Sequence, residues 1–138
     1  MRPMLKPVRR LLSYGHDEML LFTRKRILER EYGVETCDRL CDLEEVLAKG
    51  PFQLALLCQS IPDAECNEIM LRVRAAWPEI KVLVLRESTA GVCATRCDST
   101  MDSLEGPPAL LHEIHLLLEI AAAESAASGA HLVINHIQ

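Results

Sequence analysis

Residues 52–62, Phe-Gln-Leu-Ala-Leu-Leu-Cys-Gln-Ser-Ile-Pro, constrain this chain more than any other stretch. Five of the first six residues are apolar, and the run stops at polar groups followed by a proline. A run of that length suits a strand covered on both faces, at the centre of a parallel sheet, better than a surface strand. Its last residue, Cys58, then lies at the carboxyl end of the sheet, where open α/β folds place their ligands. Cys58 and its surroundings are therefore the first candidates for chemistry.

The flanking sequence alternates strands with helices. Leu11 to Tyr14 reads as a short strand stopped by Gly15. Asp17 is placed to cap a helix running to about Glu31, with Glu18 in its favourable first turn. Leu20, Leu21, Ile27 and Leu28 mark the buried stripe of that helix, and Arg24, Lys25, Arg26 and Arg30 are expected to face water. Tyr32-Gly33 ends it, since glycine tolerates the left-handed position after a helix. Val34 to Cys37 is a second strand. Asp42 is expected to cap a brief helix carrying Leu43, Val46 and Leu47, closed by Gly50-Pro51.

Beyond the central strand, Ile69, Val73 and Trp77 share one face of a helix that ends before Pro78. Residues 80–85 form another strand with a continuous apolar run. The pattern then loosens over 86–98, which has room for one or two helical turns, and Ser99 to Met101 reads as a fifth strand. Pro107 and Pro108 suit the first turn of a final helix, whose stripe is Leu110, Leu111, Ile114, Leu117, Leu118 and Ala121. The Ala/Ser/Gly-rich segment from Glu124 reads as a tail, in which Leu132 to Ile134 forms an edge strand, a partner contact or a frayed end. Five alternations with short connections imply a doubly wound α/β fold, a five-stranded parallel sheet. The expected organisation is one domain over residues 1–123 and a tail over 124–138.

Composition narrows the function classes. The chain has 138 residues, enough for one core without staples. Its net charge of −5 argues against non-specific nucleic-acid binding. Arg2, Lys6, Arg9 and Arg10 make a local basic exception, read as the solvated approach to the first strand rather than a basic arm. The first apolar residues are interrupted by Arg and Lys, which does not suit a signal peptide. The apolar run at 116–123 contains Glu119 and is too short to span a bilayer. No membrane contact and a cytoplasmic location are expected. In that compartment the six cysteines are expected to be free thiols. Cys37/Cys41 and Cys93/Cys97 have a spacing loose for structural zinc, so scattered semi-apolar thiols are preferred to a metal site, and no cofactor is expected. His112 and His115 stand three apart on the final helix, while His131 and His136 fall in the tail.

With these elements in place, the sequence resembles a receiver (CheY-like) domain of two-component response regulators over roughly residues 8–122. The resemblance rests on element order and on phrases such as Phe52-Gln-Leu-Ala-Leu-Leu…Ile61-Pro62 and Trp77-Pro-Glu-Ile-Lys-Val-Leu-Val-Leu85. It implies a CheY-like (flavodoxin-like) fold with a shortened helix between the fourth and fifth strands. In receivers the third strand ends in an aspartate that accepts a phosphoryl group, and that position here is Cys58. A thiol is a poor Mg²⁺ ligand, because hard Mg²⁺ wants oxygen. The acidic pair that binds Mg²⁺ aligns with Gly15 and His16, with Asp17 one place beyond. The Ser/Thr after the fourth strand aligns with Arg86, the lysine after the fifth with about Ser103, and the turn glycine after the third with Cys66.

The resemblance thus implies a pseudo-receiver in which this degenerate pocket has lost the phosphorylation chemistry. The expected role is that of an atypical, stand-alone response-regulator-like signalling protein, not an enzyme. It would act through protein partners, such as a signalling kinase or regulator, or as a homodimer through the final helix. The alternative is a thiol or redox sensor at Cys58, with His16 and Arg86 depressing its pKa and Cys66 or Cys93 as resolving partner. An enzyme built on a Cys58–His16 pair, oriented by Asp17 or Glu87, lacks an oxyanion-hole or phosphate-loop pattern.

Overall fold

The computed structural model describes residues 9–86 and 96–137, the last turns of the final helix (127–137) as backbone only. Five strands, β1 (Arg10–Tyr14), β2 (Gly33–Cys37), β3 (Leu54–Leu57), β4 (Lys81–Arg86) and β5 (Ser99–Asp102), form one parallel sheet in the order β2-β1-β3-β4-β5. Among the described residues four helices accompany it: α1 (Glu18–Leu28), α2 (Leu43–Leu47), α3 (Asp63–Ala76) and α4 (Pro107–Ile137). A single 3₁₀ turn, Leu40–Asp42, leads into α2.

The period of two along each strand splits the core into two layers. Leu12, Tyr14, Ala55, Leu57, Val82 and Val84 face one side, where α2 and α3 pack through Leu43, Val46, Ile69, Met70 and Val73. Leu11, Leu54, Leu56, Leu83 and Leu85 face the other, against Leu28 of α1 and Leu110, Ile114, Leu117 and Leu118 of α4. β3 is buried at every residue, as a strand with helices on both faces must be. Each fully buried Leu here is worth about 2 kcal/mol of transfer free energy, so the two inner strands anchor the domain.

The expected α/β architecture and all five strands are present. Several local expectations are corrected. α1 stops at Leu28, and the N–H groups of Glu31 and Tyr32 turn back onto the Leu28 carbonyl. Asp17 caps α1 as expected, its Oδ1 accepting from Met19 and Leu20 N–H at 3.0 and 3.1 Å. Asp42 makes no side-chain cap, because it belongs to the 3₁₀ turn.

The segment set apart as a tail is helical: α4 runs without a break through 124–137, so Leu132 to Ile134 form no edge strand. Alanine has the best helix propensity, and one internal Gly129 costs only about 1 kcal/mol, too little to end a long helix. Cys66 is disulfide-bonded rather than a free thiol, whereas Cys37, Cys41 and Cys58 are free. The expected shortened helix before β5 falls at 87–95, outside the described residues, as do Glu87 and Cys93. No helix among the described residues is long and apolar enough to cross a membrane.

Candidate functional site

Parallel pairing brings the ends of β1, β3 and β4 to one rim, with Tyr14 beside Leu57 and Leu57 beside Val84. Cys58 continues β3 past this register, its N–H donating to the Tyr14 carbonyl at 3.0 Å. It is only 3% exposed. Gly15 lies directly against it: a Cβ added there would meet Cys58 Cβ at 2.8 Å and Sγ at 2.9 Å. The strand-ending glycine is therefore required by a close approach, and the approach leaves no gap between the two loops.

The side chain that reaches Cys58 is Arg24. Its Nη1 donates to Cys58 Sγ at 3.0 Å, and its Nη2 to Gln59 Oε1 at 3.3 Å. Arg24 is 8% exposed, which overturns the expectation that it faces water. The signal was present in the sequence: Leu21, Arg24 and Leu28 share the i, i+3, i+7 spacing of the buried stripe. A long guanidinium can take such a position when its head finds acceptors across the sheet.

Burial pushes the Cys58 thiol up from its ordinary 9.0, and the Arg24 cation and its hydrogen bond offset only part of that. Ser13, fully buried, helps slightly from β1, though its hydroxyl lacks the geometry of a full hydrogen bond to any partner. The thiol is therefore held protonated.

The other predicted site residues reach the same rim but turn to separate partners. His16 Nε2 lies 2.7 Å from Glu65 Oε2 on α3, and Nδ1 lies 2.9 Å from the Asp38 carbonyl. Its backbone N–H donates to Ser60 Oγ at 2.9 Å. Both ring nitrogens thus face oxygen atoms of the chain itself. Tyr14 donates its hydroxyl to the same Glu65 oxygen at 2.5 Å, and its pKa is pushed up by burial first and by Glu65 second.

Asp17 is spent on the α1 cap. Arg86 Nη2 pairs with Asp63 Oδ1 at 2.5 Å, though neither Nη2 nor the buried Nε has a well-aligned hydrogen-bond acceptor. Ser103 donates its backbone N–H to the Arg86 carbonyl at 2.8 Å, while its hydroxyl is buried without a partner.

This donor set does not fit a divalent cation. The positions nearest Cys58 offer a glycine, a thiol and a guanidinium, and among the described residues no three His, Cys, Asp or Glu side chains cluster to hold a metal. Hard cations need several oxygens, and a fixed positive charge at 3.0 Å opposes a second. Neither His16 nor Arg86 is the cation at the thiol, as the sensor reading required. The rim is a set of internally paired charges around a buried thiol.

No protein-family model matches the sequence, and no curated protein matches it significantly. Solved structures do match. A response regulator receiver (CheY-like) domain protein from Methanospirillum hungatei JF-1 superposes with a TM-score of 0.74 at 24% identity, over 85% of this chain and 98% of that one. A signal receiver domain of an HD domain-containing protein from Pseudomonas fluorescens Pf-5 gives 0.76 at 14% identity, over 91% and 97%. An adenylate cyclase structure from Rhodopirellula baltica gives 0.76 at 19% identity, over 89% and 96%. The fold is that of receiver domains.

Proposed function

We propose that this chain is a receiver-like signalling domain that works by protein–protein contact, without phosphorylation at the end of β3 and without catalysis of its own. The observation that carries this reading is the Arg24–Cys58 contact of 3.0 Å. On this reading a fixed cation stands where a receiver's metal and phosphoryl group would meet, and a thiol stands where the accepting carboxylate would be. The receiver fold supports a response-regulator-like role, with partners such as a signalling kinase or regulator recognised by its surfaces.

The test is intact mass and thermal melting with acetyl phosphate and Mg²⁺, and separately with beryllofluoride and Mg²⁺. Unchanged mass and an unchanged melting temperature are expected. A phosphoryl adduct mapping beside residue 58, or Mg²⁺-dependent stabilisation, overturns the reading.

A second reading, thiol sensing at Cys58, draws on the same contact, since a guanidinium favours the thiolate. Burial opposes it and is the larger influence. Slow alkylation of Cys58 compared with exposed Cys41 would leave the binding-domain reading standing. Rapid alkylation of Cys58 at neutral pH would favour the sensor.

A further inference from the structure

At the opposite end of the sheet lies a groove of about 880 Å³, bounded by the α2–β3 and α3–β4 connections and by the middle of α4. It is lined by apolar and small side chains, Trp77, Pro78, Ala121 and Ala122, together with Lys81 and other charged side chains of both signs. We propose that this groove binds a flat aromatic carboxylate, its ring against Trp77 and its acid group on Lys81.

Three observations carry the assignment. The first is size, since 880 Å³ falls in the range of small-molecule sites. The second is a pre-set aromatic wall. Trp77 Nε1 donates to the Leu47 carbonyl at 3.1 Å, and the ring packs so closely on Gly50 that a Cβ there would meet it at 2.4 Å. A ring fixed before binding loses little entropy when a second ring stacks on it. Ala121 and Ala122, also in the lining, are small and leave room that larger side chains would fill.

The third is the state of Lys81. Its side chain is 14% exposed, yet its closest carboxylate, Glu124 at 2.5 Å, comes from an α4 side chain that is 63% exposed. Asp98 is farther, at 3.9 Å, and already accepts from Arg74 at 3.1 Å and from Val82 N–H at 2.7 Å. A covered cation thus has as its main partner a carboxylate that can swing into water at small cost. A ligand carboxylate can take that place and keep the charge-assisted hydrogen bond. Arg9 and Arg74 also line the groove, Arg74 being already paired with Asp98 at 3.1 Å. This site is separate from the Arg24–Cys58 rim and does not depend on how that rim is read.

The test follows the indole N–H resonance of Trp77, the chain's one tryptophan, as 2-naphthoate is titrated into the full chain. 2-Naphthalenemethanol serves as the uncharged control. A saturable shift is expected with the acid, with affinity about tenfold weaker for the alcohol and for Lys81→Met. Glu124→Ala should tighten binding severalfold, because the internal competitor is gone; a merely structural Glu124 would not do this. No saturable shift at millimolar acid overturns the proposal, as does equal binding of acid and alcohol. Unchanged or weaker binding by Glu124→Ala removes the displacement argument and with it the role assigned to Lys81.

Discussion

At the carboxyl end of the sheet, Arg24 sits against partners held within the core; at the amino end, Lys81 sits against a partner that can leave. Arg24 reaches Cys58 and Gln59 from within the core, and Gly15 closes over the thiol without space for a methyl group. His16 and Arg86 are tied to Glu65 and Asp63 on α3. Lys81 instead holds an exposed glutamate across an open groove. In a doubly wound fold the carboxyl end is where a ligand is first sought. Here its chemistry is occupied by the chain's own side chains, and the room lies at the other end.

The comparison breaks most visibly at Gly15. Gly15→Ala should destabilise the protein by about 2–3 kcal/mol, because the new methyl meets a Cβ held by backbone rather than a flexible tip. Urea denaturation measures it. Adding Cys58→Gly should recover much of the loss, and a double-mutant cycle with no coupling would mean the two loops are not in contact.

Arg24 sharpens the comparison in the other direction. Among the described residues it has no carboxylate partner, only a thiol and an amide. Arg24→Met keeps the volume and removes a covered charge, so it should be neutral or stabilising, by up to about 1 kcal/mol. A loss above about 2 kcal/mol would instead show that the guanidinium is integral to the fold. Cys58→Asp should give no phosphoryl adduct with acetyl phosphate and Mg²⁺, since Gly15 and His16 supply no oxygen ligands beside it; a stable adduct would contradict the reading of this rim.

A smaller effect is expected with pH. Burial is the first cause raising the Cys37, Cys58 and Cys97 thiols above their ordinary 9.0. The folded chain then keeps protons that the unfolded chain releases. This contribution is complete below 9.0 and is lost as pH rises above it, so denaturation midpoints should fall on the alkaline side. Cys58→Ala should flatten part of that fall. Smallest is Glu124→Ala, expected to cost less than about 0.5 kcal/mol without ligand, as for other solvent-screened pairs. A larger loss would mean that Glu124 is structural rather than displaceable.

Much of the fold was legible because its signals are local. The apolar run at 54–57, the Asp17 cap and the Pro107 start all rest on residues close in sequence. The Ala/Ser/Gly-rich composition from Glu124 reads as a tail, yet its alanines favour helix and α4 continues through it. A cytoplasmic compartment argues for free thiols, and spacing cannot reveal a pairing such as that of Cys66.

The candidate site was half legible. Cys58, Gly15, His16, Asp17, Arg86 and Ser103 could be placed at the rim from the order of elements. Their partners could not, since Glu65 lies 49 residues from His16 and Arg24 lies 34 from Cys58.

By itself the sequence determined the sheet, the direction of its strands and the absence of carboxylates at the end of β1 and the end of β3. Those follow from periodicity, length and residue identity, which act over a few positions. Only the tertiary structure decided that Arg24 turns inward onto the thiol, and that Trp77, Ala121 and Lys81 border one groove. Such outcomes depend on which distant acceptor or gap the packed elements offer, a choice made by three-dimensional packing rather than by propensity.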